Sequence, residues 1–226
     1  MKIKKSVKRT LLIILIVLVV ALLIFLGYKI YDNFLGGGST IQPEVVNTID
    51  GYGYTLENDA PDGYVTLFNE LKTLLEQDEV NEEEYAKLVA RMLVYDFYNL
   101  DNKISKNDVG GTEFILEDYR DNFILEASET VYKYIEHNIY QDREQKLPVV
   151  TSTEVTNVRT GQYRYEDYTD DNAYIVTVQV GYEEDLGYPT EVTVKMLHVL
   201  KEVKEKDSEG NEVTNEYNTL QVFYMK

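Results

Sequence analysis

Apolar positions along the chain change their spacing near residue 148, and that change divides the sequence. Upstream, Leu67, Phe68, Leu71, Leu74 and Leu75 recur at helical spacing after Asp62-Gly63. Tyr85, Leu88, Val89, Met92 and Leu93 do the same behind Asn81-Glu82-Glu83-Glu84, whose Asn and acids suit a helix start. A third helical pattern, with Tyr119, Phe123, Ala127, Tyr134 and Ile135, predicts a helix from about residue 117 to 140. Between the second and third, Asn107-Asp108-Val109-Gly110-Gly111 reads as a turn. Beyond Pro148 the period falls to two over residues 149–158, 173–183, 190–203 and 213–225. Tyr174, Val176, Val178, Val180 and Tyr182 share one strand face, as expected of an antiparallel sheet with one side covered. In the third run Val192, Val194 and Met196 lie on one face and Leu197, Val199 and Val203 on the other, which predicts a bulge or strong bend.

Ahead of this pattern, residues 11–28 (LLIILIVLVVALLIFLGY) contain no charged side chain. Eighteen helical residues extend roughly 27 Å, enough for a hydrocarbon core. Lys2, Lys4, Lys5, Lys8 and Arg9 precede the run. The expectation is a basic cytoplasmic tail over 1–10, an uncleaved transmembrane helix in contact with membrane lipid over 11–28, and everything after it outside the cell. Residues 29–61, with Gly36-Gly37-Gly38 and two prolines, read as a flexible tether spanning roughly 30 Å. The alternative for Gly51 to Leu56 is pairing with a sheet edge. Residues 62–226 form the extracytoplasmic domain. Its expected class is α+β, with three helices packed on a curved four-stranded antiparallel sheet.

Composition removes several functions. The 226-residue chain has no Cys, so neither disulfides nor thiolate chemistry are available. A net charge of −18 disfavours nucleic acid, because the lysines and arginines needed to neutralise phosphates are lacking. His137 and His198 stand alone, without partners at metal-ligand spacing, and no phosphate-binding glycine loop occurs. No cofactor is implied.

Two groups of candidate residues remain. Asp96 falls on the apolar stripe of the second helix, where a carboxylate must be hydrogen-bonded or paired. With Tyr98 and Asp108 it forms a candidate ligand-binding set. The competing reading is structural, with Asp96 accepting backbone N–H groups from the turn at 108–111. Twenty tyrosines are an excess, and Tyr163, Tyr165 and Tyr168 form a candidate interaction surface beside an acidic loop.

Three helices followed by a long bent meander, behind a single N-terminal anchor, resemble the cone-like fold of nuclear-transport-factor-2-like proteins and the periplasmic domain of VirB8-type secretion components. The stretch from Asp96-Phe97-Tyr98 through Lys103 to Asp108-Val109-Gly110-Gly111 resembles a signature of membrane-anchored firmicute proteins, and brings no activity with it. The function expected is a non-catalytic interaction or assembly module of the cell envelope, engaging a protein partner or itself. The alternative is a small-ligand-binding or enzymatic domain that uses an interior pocket containing Asp96.

Overall fold

A computed structural model describes residues 43–165, 168–206 and 212–226, with the side chains of Tyr165, Glu205 and Lys206 left aside. The expectations for the basic tail, the apolar run at 11–28 and the first part of the tether therefore lie outside the described residues.

The chain begins with a hairpin, β1 (Val45–Ile49) and β2 (Tyr54–Glu57), which buries Ile49, Tyr54 and Leu56 against the domain. Helix α1 (Asp62–Leu75) follows and buries the predicted face of Leu67, Phe68, Leu71, Leu74 and Leu75. Helix α2 (Glu82–Tyr98) starts where the Asn81 side chain accepts the Glu84 N–H at 3.2 Å, leaving Glu82, Glu83 and Glu84 at the positive end of the helix dipole. Ala86, Val89, Ala90, Met92, Leu93 and Val94 are fully enclosed, so α2 is apolar nearly all round. That is the pattern of a central helix covered on several sides. Helix α1 lies against it, and so do the first strands of the main sheet.

Helix α3 (Glu117–Glu129) is shorter than its periodicity predicts. Thr130 turns its hydroxyl back onto the Glu126 carbonyl at 2.6 Å, and the chain then leaves the helical path. The departure lets Tyr132 bury its ring and donate to the Phe97 carbonyl at 2.6 Å. A tertiary bond to α2 replaces the helix's next turn.

The main sheet is an antiparallel meander of β3 (Val150–Tyr165), β4 (Tyr168–Tyr182), β5 (Glu191–Lys206) and β6 (Glu212–Met225). Val176, Val178, Val180, Val192, Val194 and Met196 cover the side facing α2. The register shifts between Lys195 and Met196, at the predicted change of face. Because of it, Met196 and the adjacent Leu197 are both buried, in different cores. Leu197 joins Ala173, Phe223 and Leu116 in a smaller cluster on the opposite side.

Strands β4 and β5 pair only from Tyr174↔Met196 to Gln179↔Glu191. Beyond that seam the β3–β4 and β5–β6 hairpins continue as separate ribbons, to Tyr165↔Tyr168 and Lys206↔Glu212.

The expected fold is corrected in two respects. The described residues form two antiparallel sheets, one of two strands and one of four, because the aromatic stretch around Tyr52 and Tyr54 carries enough apolar surface to fold onto the domain. And among the described residues no helix is long and apolar enough to cross a membrane, so the expected transmembrane helix is not one of the elements described.

Candidate functional site

The last turn of α2 sets the site. Asp96 projects from it, half-buried, and the chain reverses through a short 3-10 turn, Leu100–Asn102. Leu100 and Asp101 donate their N–H groups to the Pro148 carbonyl, and Asn99 Oδ1 accepts the Val150 N–H at 2.9 Å. The end of the helix is thereby bonded to the start of the sheet.

Lys103 returns to Asp96 and places its ammonium 2.5 Å from Oδ1. The Gly111 N–H donates to Oδ2 at 2.6 Å. Both oxygens of Asp96 are therefore engaged within the chain, by the buried Lys103 and by the turn that follows it. Burial works against the charge of Lys103, yet the carboxylates of Asp96, Asp108 and Glu57 outweigh it and hold the ammonium above its ordinary pKa. Gly110 packs directly beneath: a Cβ there would lie 2.3 Å from the Asp96 carbonyl oxygen, closer than any side chain can approach. Its N–H donates to Tyr132 Oη at 3.1 Å.

These elements wall a cleft of about 950 Å³, at the upper end of the size range for ligand sites. The β1–β2 hairpin, the start of α1, the 103–118 segment and the middle of β5 all contribute to it. Asp96 and Asp108 both reach the cleft, and Asp108 Oδ2 also accepts the Ile104 N–H at 2.8 Å. Tyr98 does not line it. Its ring is buried edge-on against Phe97, with centroids 4.9 Å apart.

The residue that sequence reasoning missed is Glu113, in the 3-10 turn Thr112–Phe114. Its Oε2 accepts the Thr55 N–H at 3.0 Å and the Thr55 hydroxyl at 2.8 Å, while Oε1 accepts from Tyr64 Oη at 3.3 Å. Burial pushes its carboxyl up to about 7; the Asp96 charge adds to this, and the bonds from Thr55 and Tyr64 only partly offset it. Glu57 is raised as well, by burial and by Asp59.

The cations on the cleft wall are already committed. Lys103 is paired with Asp96, Arg120 donates to the carbonyls of Thr112 and Ile115, and Lys201 donates to the Tyr52 carbonyl. The Glu113 carboxyl has no lysine or arginine partner among the described residues.

The tyrosine set is dispersed in its uses. Tyr163 is half-buried, its ring stacked on Phe223 with centroids 3.9 Å apart. Tyr168 keeps an exposed ring but donates its hydroxyl to the His198 carbonyl at 2.6 Å. The Tyr165 side chain lies outside the described residues. His137 is exposed, and His198 is bonded to Asp170 on β4. Among the described residues no group of three or more His, Asp or Glu side chains is placed to hold a metal ion.

No family model, curated protein or solved structure matches the chain.

Proposed function

We propose that this protein is a non-catalytic interaction module of the cell envelope, attached to membrane lipid through the apolar residues 11–28, and that it engages a basic group of its partner in the acidic cleft. The observation that carries this reading is the state of the cleft wall. Its three cations are spent on Asp96 and on backbone carbonyls, while Glu57, Asp108 and Glu113 line the cleft with no ion pair of their own among the described residues, sharing at most the field of Lys103. Carboxylates held close together in a partly dry site repel one another, and an entering ammonium or guanidinium relieves that repulsion. The overall charge of −18 extends the same field beyond the cleft and favours encounter with basic partners.

A photo-cross-linker placed at exposed Asp118, on the cleft rim, tests the reading in native membranes. The expected result is a discrete protein adduct, with a partner or with a second copy, that disappears when Glu113→Lys fills the cleft with a charge of its own. A chain that yields no adduct, or the same adduct with Glu113→Lys, overturns it.

A further inference from the structure

A carboxyl group enclosed beside other carboxylates and without a cation of its own is stabilised by holding a proton. Glu113 is such a group, but it is also fixed in place. Thr55 on β2 and Tyr64 on α1 supply three donors to its two oxygens, so the group stays at the cleft wall whichever protonation state it adopts. Those donors satisfy lone pairs and leave the charge itself uncompensated. The titratable and charged groups around it come from each packed element: Tyr54 and Glu57 on β2, Tyr64 on α1, Asp96 on α2 with its partner Lys103, Asp108 in the turn that follows, and Arg120 on α3. Tyr54 and Tyr64 are raised by burial and remain neutral near pH 7, Asp96 opposes ionisation of Glu113, and Arg120 is turned onto carbonyl oxygens.

We propose that entry of an ammonium or guanidinium group into the cleft is coupled to release of a proton from Glu113, so that recognition at this site is regulated by pH. This rests on the reading of the cleft as a cation-recognition site. Burial in the cleft wall, with the charge of Asp96 beside it, pushes this carboxyl up to about 7, which sets the direction of the effect. Near neutral pH both forms are populated, and a cation that lowers this pKa by two units or more displaces the proton. The affinity then rises about tenfold between pH 6 and pH 8, over a range in which lysine side chains keep their charge.

The experiment is calorimetric titration of the full chain, solubilised in non-ionic detergent, with N-acetylated tetralysine, whose only cations are side chains, at pH 7 in two buffers of different ionisation enthalpy. The expected result is release of a fraction of a proton per bound peptide, together with tighter binding at pH 8 than at pH 6. Glu113→Gln, which keeps the acceptor for Thr55 and the shape of the wall, should bind with no proton release and no such pH dependence. Binding by the unaltered chain without proton release, or with equal release from Glu113→Gln, overturns the coupling and leaves the cleft reading intact. Failure of tetralysine to bind at either pH overturns both. Absence of proton release from the unaltered chain overturns the coupling even if Glu113→Gln folds poorly.

Discussion

The Asp170 carboxylate holds His198 by two bonds to one oxygen: the backbone N–H and the imidazole Nδ1 of His198 each lie 2.8 Å from Oδ2. Asp170 is only 6% exposed, and its other oxygen accepts the Asn172 N–H at 2.8 Å. These bonds stand where strand pairing between β4 and β5 has stopped, so side chains supply what the ladder no longer does. Burial alone would raise the Asp170 carboxyl, but the donors from His198 and Asn172 outweigh it and hold the group below the usual carboxylate range. Asp170→Ala should therefore cost about 2–3 kcal/mol. The stability that Asp170 contributes is present above its unfolded pKa and is lost as pH falls through the lower folded value. Urea unfolding at pH 7 and pH 3 checks both points: the gap between the two proteins should narrow in acid.

Asp96 and Lys103 should behave as a unit. Asp96→Ala strands a buried ammonium and an unpaired Gly111 N–H, at a cost of about 3–5 kcal/mol. The double variant Asp96→Leu with Lys103→Met should lose much less than the two single changes added together. Chemical denaturation of all four proteins measures the coupling, and additivity would show that the pair is not an interacting one.

Glu113 gives the opposite pH signature from Asp170. Its folded value of about 7 lies above the ordinary 4.5 of an unfolded glutamate, so its favourable contribution is complete below pH 4.5 and is lost as pH rises towards 7. Glu113→Gln should be more stable than the unaltered chain at pH 8, by an amount on the order of 2 kcal/mol, and should lose that advantage at pH 4.5. Thermal melts at the two pH values measure it.

Gly110 and Gly187 make a controlled comparison of two ways in which a glycine is needed. At Gly110 a methyl group would strike the Asp96 backbone, whereas at Gly187 the positive φ of 80° is strained for other residues but nothing lies within 4 Å. Gly110→Ala should cost more than about 3 kcal/mol and disturb the Asp96–Gly111 bond. Gly187→Ala should cost only about 1 kcal/mol. Equal losses would mean that the packing at Gly110 can relax.

What could be seen in the sequence was whatever depends on near neighbours. The alternation from Tyr174 to Tyr182 fixes the buried face of β4, and the switch between Met196 and Leu197 marks the bulge, because both are properties of consecutive residues. The position of Asp96 on an apolar stripe likewise announces a carboxylate in need of partners. Helix α3 ends at Glu129 for a reason its own periodicity does not contain, the distant bond from Tyr132 to Phe97. Glu113 was invisible for the same reason: Thr55, which orients it, is 58 residues away, on a hairpin read as tether. Surface tyrosine could not be told from packing tyrosine without knowing that Phe223 lies against Tyr163.

The short seam between β4 and β5 has a consequence for how the domain could be taken apart. Each long hairpin is zipped mostly to itself, and α2 lies across strands of both. A cut in the exposed link around Leu186 would leave a separate C-terminal piece with its own complete hairpin and a ready-made seat on the rest. The molecule is in that sense two hairpins keyed to a common helix through a shared core, an arrangement suited to splitting into fragments that complement one another.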